Sequence, residues 1–416
     1  MKKGKFTKVA ATEQNEAWDK MIKRDMEFQT NENEVRSPFA RDYTRILHSL
    51  AYRRLKQKTQ VFFNIDNDHI CTRMEHVAHV ESISSTIAQC LGLNAELTKA
   101  ISVGHDIGHA PFGHHGEQVI KALMIREHFG TTFWHEKNGL RFVDNIELLE
   151  NSYNRSKNLN LTYAVRDGIV SHCGEVDENG LVPREEYIDL ESFSQPGEYQ
   201  PFTWEGCVVK VADKIAYIGR DIEDAICLGF LDEDVKNRLE VMARVFDQRA
   251  LNTTVITNNL IIDICKNSSP EKGICLSDTC LQQLDEIKDF NYKYIYKHKR
   301  LKAFQDYSSM IITNIFDILL ECYDGKHTWE NLENEVYAFS PTLAESFSKF
   351  LTRYCDSVII PHTQRYDLKP LALKCENKKI YGDLGKRETY IQAIFDFIAG
   401  MTDRFAIKIF EEFLKY

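Results

Sequence analysis

The segment His105–Glu117, reading H-D-I-G-H-A-P-F-G-H-H-G-E, constrains this chain more than any other stretch. It gathers four histidines, an aspartate and a glutamate into thirteen residues, broken by three glycines and a proline. Nine of the fourteen histidines lie between His69 and His135, a concentration a solvated surface gives no reason for. Imidazole is the usual neutral metal ligand and the side chain that titrates nearest neutrality. Adjacent carboxylates add hard oxygen ligands and proton acceptors. The residue types point to a metal-dependent hydrolytic site.

Helical periodicity frames the segment on both sides. Arg73–Leu91 reads as a long amphipathic helix with Gly92 as its C-terminal cap. Asn94 is placed to cap a second helix through A-E-L-T-K-A-I-S-V-G-H-D. Pro111 and the glycines exclude regular helix through the segment itself, so it reads as a loop that returns to helix near Glu117–Met124. Phe133-Trp134-His135-Glu136 precedes another helix, with Leu140, Phe142, Val143 and Ile146 on its apolar side. Trp204–Phe230 is a strong helix pattern in which Asp213, Tyr217 and Asp221 fall four apart and share a face.

Upstream, Arg36–Val61 places Phe39, Tyr43, Ile46, Leu47 and Leu50 at helical spacing, interleaved with Arg36, Arg41, Arg45, Arg53 and Arg54. Those arginines read either as a salt-bridged solvated face or as phosphate ligands, for which guanidinium forks are suited. A loop is expected at Asn64–Asp68 and a long surface excursion at Gly174–Thr203. Beyond Leu231, helical patterns alternate with polar breaks at Asn267–Gly273 and Asp324–Thr328. Strand signals are weak; Asn252–Ile262 and Tyr294–Lys302 could pair as a small hairpin. The fold expected is mainly α: a helical core with a helical C-terminal extension and at most a small β-hairpin. Residues 1–35 form an N-terminal arm with a short helix, 36–260 the core, and 261–416 the extension packed on it as one structural unit.

Composition narrows the class. No apolar run approaches the roughly 18 residues needed to span a bilayer, and the N-terminus has lysines but no apolar signal core. Eleven cysteines without CxxC pairs read as reduced thiols, hence a cytoplasmic protein. A net charge of −10 does not indicate a nucleic-acid-coating role.

His105-Asp106 ends an apolar helix, His76 lies on the helix before it, and Asp213 sits in a largely apolar stretch. An ionised carboxylate there is costly unless paired or metal-bound. Taken singly, each is more readily a hydrogen-bonded core residue; together, two imidazoles and two carboxylates from three helices make a divalent-metal site. Mixed N/O ligation admits Mn, Mg, Fe, Co or Ni and does not choose among them; Mn or Mg is the expectation. His114, with Glu117 three residues on, suits proton transfer; His115 is assigned only packing or a surface position.

Four motifs then carry a resemblance: T-R-M-E-H (Thr72–His76), the His105–Glu117 segment, V-A-D-K-I-A-Y-I-G-R-D (Val211–Asp221) and A-G-M-T-D-R-F-A (Ala399–Ala406). With R-R-L-K-Q-K-T-Q-V-F (Arg53–Phe62), they resemble the HD-domain deoxynucleoside triphosphate triphosphohydrolases, in the bacterial dGTPase branch. The resemblance implies water attack at the α-phosphorus of a dNTP, dGTP favoured, releasing deoxynucleoside and inorganic triphosphate. It implies His76, His105, Asp106 and Asp213 as ligands of one divalent metal, and His114 and Glu117 as the catalytic pair. Gln60 is implied at the deoxyribose, Tyr217 under the sugar and Asp221 near the 3′-hydroxyl. Arg73, His109 and Lys214 are implied around the triphosphate, with His135 also approaching substrate. A nucleotide effector and a homo-oligomer, as large as a hexamer, are implied as well. Where the family has F-x-H-N, this chain has Glu136 in place of asparagine. Two alternatives remain: an HD phosphohydrolase of another nucleotide phosphate ester, or a dNTP-sensing oligomer without turnover.

Overall fold

Local capping rules account for the framework around the histidine-rich segment. In the computed structural model, Arg73–Leu91 is one helix, and Glu75 reaches back to accept the Thr72 N–H at 2.8 Å and its hydroxyl at 3.1 Å. Gly92 ends that helix at φ 83°, where a Cβ would lie 2.6 Å from the Gly4 Cα. The Asn94 side chain accepts from Glu96 N and Leu97 N and starts Ala95–Gly104. The structure describes residues 4–27, 33–63, 67, 69–173, 179–243, 253–356 and 367–415. Apart from Asn67, the loop expected at Asn64–Asp68 lies outside them, as do 174–178 of the expected excursion; 179–203 hold only the short turn Leu190–Ser192.

The chain divides into two units that alternate along the sequence. The first comprises 1–47, 60–107 and 160–303, and the second 48–59, 108–159 and 304–416. The histidine-rich segment is therefore shared, with His105, Asp106 and Ile107 in the first and Gly108 onward in the second.

In the first unit, the helices Arg73–Leu91, Ala95–Gly104, Tyr163–Ser171 and Trp204–Cys227 pack together around Val77, Val80, Ile87, Ile101 and Val208. Two polar anchors tie distant segments to this bundle. Glu205, fully buried, accepts from Ala11 N at 2.9 Å and Asn94 N at 2.8 Å. Asp42 takes Arg24 at 2.7 Å together with the N–H and hydroxyl of Thr162. Removing one member of such a buried pair typically costs about 3–5 kcal/mol, because the other charge is stranded.

The second unit holds the helices Gly113–Arg126, His135–Arg141, Pro341–Tyr354, Arg387–Ala399 and Asp403–Phe413. Its core is aromatic, with Phe347, Phe350, Tyr354, Tyr381 and Phe397 in mutual ring contact. Arg141 and Tyr381 both donate to the buried Asp396, at 2.6 and 2.7 Å.

The fold is mainly α, and its hairpin joins Leu148–Glu150 to Ser156–Asn158. It is not the one expected from sequence. Thr253–Asn267 is helical; Tyr292–Tyr296 is a π-type turn followed by the helix Lys299–Glu321, and Asn252 lies outside the described residues. Thr253–Thr257 reads T-T-V-I-T, a β-branched run, but Ile256, Leu260 and Ile264 bury one face at helical spacing. Burial of that stripe outweighs local β propensity. The helix after the histidine-rich loop also starts four residues earlier than expected, at Gly113, so His114 and Glu117 lie on one helix.

Candidate active site

Three helices of the first unit bring His76, His105 and Asp213 together. Their ligand atoms all lie within 4.8 Å of one another. His76 Nε2 is 2.9 Å from Asp213 Oδ1, and His105 Nε2 is 3.6 Å from the same oxygen. Asp106 Oδ1 stands 3.9 Å from His105 Nε2, while its Oδ2 accepts from Arg73 Nη1 at 2.9 Å. Asp106 thus stands at the edge of the three-residue set, one oxygen toward His105 and the other on Arg73.

The donor set fits a divalent cation. The His105 Nδ1–H donates to the Ser102 carbonyl at 2.6 Å, which leaves Nε2 as the lone-pair nitrogen. That nitrogen is buried, makes no hydrogen bond and faces two carboxylates. Lone pair against carboxylate is repulsive unless a proton or a metal ion stands between. Burial pulls the His105 pKa down, but Asp213 and Asp106 outweigh it and leave the imidazole above its ordinary value. Burial likewise works against the Asp213 carboxylate, yet the two imidazoles hold its pKa well below the usual range. The same lone pair and carboxylates that attract a proton are ligand types for a divalent ion, which would compete with that proton.

Three further candidates in this unit carry buried polar atoms without hydrogen bonds: Gln60 Oε1, Arg73 Nε and Nη2, and Asp221 Oδ1. Such atoms are rare in folded proteins and often mark ligand positions. Burial pushes the Asp221 carboxyl up to about 7, against the Tyr296 hydroxyl, which donates to its Oδ2 at 2.5 Å. Lys214 is buried on the same helix as Asp213, and Tyr217 is partly exposed there.

In the second unit, His109, His114, Glu117 and His135 also place their ligand atoms within 4.8 Å of one another. Here the geometry disfavours a shared ion. His109 and His135 stack at 3.8 Å with 16° between their rings. In-plane lone pairs of nearly parallel rings do not converge on one metal at a bond length of about 2.0–2.1 Å. His114 stands edge-on to both rings, at 5.2 and 5.6 Å, and is exposed. Glu117 is buried; it takes His135 Nδ1 at 3.1 Å and Lys121 at 2.8 Å. Burial opposes its ionisation, but His135, Lys121 and the nearby His114 bring its pKa down to about 2. Glu117 is a permanent anion in a group of imidazoles.

The helix carrying this group begins under constraint. Phe112 adopts φ 63°, and a Cβ on Gly116 would lie 1.9 Å from the Pro111 carbonyl, so the turn closes only around glycine. A left-handed non-glycine residue costs about 1–2 kcal/mol. A cavity of about 440 Å³, lined by Arg54, Phe142, Glu147, Tyr354 and Lys374 among others, includes one of the candidate phosphate arginines, Arg54, and none of the candidate metal or catalytic residues. Its Arg54 and Lys374 are already paired with Glu147 and Glu150.

Comparison with known proteins follows the same lines. The HD domain matches residues 73–218, and a phosphohydrolase-associated domain matches 274–338. A deoxyguanosinetriphosphate triphosphohydrolase-like protein of Desulfatibacillum aliphaticivorans is 36% identical over 309 residues, 73% of this chain and 79% of that protein. One from Pelagibacter ubique is 33% identical over 383 residues, 90% and 92% of the two chains.

The chain belongs to the HD-domain deoxyguanosinetriphosphate triphosphohydrolase-like family.

Several further side chains touch the candidate residues. His172 stands edge-on to His105 at 5.0 Å, with no local motif to signal it. Tyr296 reaches Asp221 from 75 residues away. Lys121 was legible as the i+4 partner of Glu117. Glu136, the departure from the family pattern, is buried with Oε2 3.4 Å from His135 Nδ1, so that nitrogen faces two carboxylates. His115 packs away from the imidazole group, against the Gln305 carbonyl and the Ser309 hydroxyl.

Proposed function

We propose that this HD phosphohydrolase splits deoxynucleoside triphosphates, dGTP favoured, into deoxynucleoside and inorganic triphosphate by attack of water at the α-phosphorus. The observation that carries the reading is the buried, unsatisfied His105 Nε2 facing Asp213 and Asp106 beside His76. His76, His105, Asp106 and Asp213 would hold one divalent ion, Mn or Mg in the first instance. Such an ion supplies Lewis acidity at the phosphate oxygens and lowers the pKa of water.

The remaining roles belong to the chain's own side chains. Arg73 keeps two guanidinium nitrogens free of protein acceptors, suited to phosphate oxygens. Lys214 and His109 serve the same triphosphate. Gln60 and Asp221 offer unsatisfied oxygens to the sugar hydroxyls, Asp221 at the 3′-position. Tyr217 packs under the deoxyribose and disfavours a 2′-hydroxyl. His114 moves the proton of the attacking water or of the departing 5′-oxygen, with the Glu117 anion supporting its charged form, and His135 approaches the substrate from the same group. The Glu117 carboxylate is itself held by His135 and Lys121.

The names of the family relatives support the nucleotide and the leaving triphosphate. A cytoplasmic homo-oligomer, up to a hexamer, under control of a nucleotide effector is part of the same proposal. The test is incubation of the full chain with each of the four dNTPs and Mn or Mg, with inorganic triphosphate and deoxynucleoside measured together. Equal release of the two from dGTP is expected. Deoxynucleoside without triphosphate overturns the reaction, and tight dGTP binding without turnover leaves a sensor.

A further inference from the structure

We propose that Asp403 and Lys58 are positioning residues that clamp the segment His109–Phe112 and so fix the direction in which His114 leaves the helix that follows. The proposal rests on the role given to His114 above.

Both residues are charged and both are buried, Lys58 at 1% exposure and Asp403 at 6%. Asp403 opens the helix Asp403–Phe413, behind the cap Thr402. Its Oδ1 accepts from Phe112 N at 2.8 Å, and its Oδ2 accepts from Thr59 N at 3.1 Å and the Thr59 hydroxyl at 2.7 Å. The Lys58 ammonium donates to the His109 carbonyl and, at 2.9 Å, to the Ala399 carbonyl. Two neighbouring residues of one strand of chain, Lys58 and Thr59, are thereby joined to both ends of the late A-G-M-T-D motif. Together these residues grip the backbone at His109 and at Phe112.

The grip falls where it has mechanical effect. Phe112 holds a left-handed backbone, Gly113 follows at φ 59°, and the helix bearing His114 and Glu117 starts there. Each residue of an α-helix turns the side-chain direction by about 100°. A start displaced by a single residue would aim His114 at a different part of the protein. The acceptor on the Phe112 amide is what selects this start, and it comes from 291 residues along the chain. A carboxylate serves three donors with two acceptor-only oxygens; an asparagine would turn an NH₂ against one of them. The pair also accounts for the Ala399–Ala406 motif, which is far along the chain from every other candidate residue.

The test uses the full chain with Asp403→Asn, assayed with dGTP and Mn for triphosphate release and by amide hydrogen exchange over residues 108–117. Expected are a kcat lower by roughly 30- to 100-fold with KM changed less than about threefold, and faster exchange at Phe112 without faster exchange across the Arg387–Ala399 helix. In a His114→Ala background the same substitution should lower kcat by less than about threefold, because the group it aims is gone. A purely structural latch would give the same fold-loss in both backgrounds and would overturn the proposal, as would unaltered exchange at Phe112. If Asp403→Asn does not fold, Thr59→Ala, which removes one donor, should move kcat and Phe112 exchange in the same directions by less. No triphosphate from the wild-type protein would overturn the functional reading alone; exchange at Phe112 would still decide the clamp.

Discussion

Two groups of histidines and carboxylates in this protein use the same residue types to opposite ends. Around His76, His105 and Asp213, a buried Nε2 without a hydrogen bond faces a carboxyl whose pKa the two imidazoles hold well below the usual range. Around His109, His114, Glu117 and His135, the carboxylate already has Lys121 and His135, and the stacked rings cannot share an ion. Distance alone would grade both groups as metal sites. The two differ in what their rings face: at one an unsatisfied nitrogen points at carboxylates, and at the other two rings lie parallel beside a carboxylate that is already paired.

The contrast can be broken most sharply at the cation group. His105→Ala or Asp213→Ala should abolish both bound metal and triphosphate release, lowering kcat by at least about 1,000-fold; full metal content by elemental analysis would remove the residue from the ligand set. In the imidazole group, His114→Ala should keep metal stoichiometry and dGTP binding while kcat falls about 100-fold. Loss of metal in that variant would erase the distinction between the two groups.

Tyr217→Ala probes a neighbour of the cation group, and GTP turnover relative to dGTP should rise by about tenfold, as one lost pocket contact allows. An unchanged ratio would count against a sugar gate.

The smallest effect concerns Glu117 and is read as stability. Its pKa drops from 4.5 to about 2 on folding, so the folded state binds the proton more weakly than the unfolded chain does. The stabilisation is therefore fully present above about 4.5 and is lost as pH falls towards about 2. Wild type should unfold at higher denaturant than Glu117→Gln at pH 7, and the gap should narrow below pH 4.5. A gap independent of pH would mean that Glu117 acts by shape rather than charge.

Helix ends around the site were legible because their hydrogen bonds close within four residues. Thr72 with Glu75, Gly92 and Asn94 each announce themselves locally, and the structure places the ends of both helices accordingly. Asp213 was legible for another reason, a carboxylate in an apolar helix that needs a partner. The hairpin was misplaced because a β-branched run and a buried helical stripe coincide in Thr253–Asn267, and only packing chooses between them. The early start at Gly113 was hidden because its cause, the Asp403 carboxylate on Phe112 N, lies 291 residues along the chain.

The mainly helical class and the crowd of imidazoles at His105–Glu117 were set by the residues alone. Short-range hydrogen bonding and side-chain chemistry settle these without knowledge of the path of the chain. Only the tertiary structure decided how that crowd divides: which nitrogen lacks a partner, which rings lie parallel, and that Glu117 takes His135 and Lys121. Those outcomes depend on satisfying buried polar atoms across segments far apart in sequence. A buried donor finds its acceptor in space, and the same residue types end in different surroundings according to what has already been satisfied.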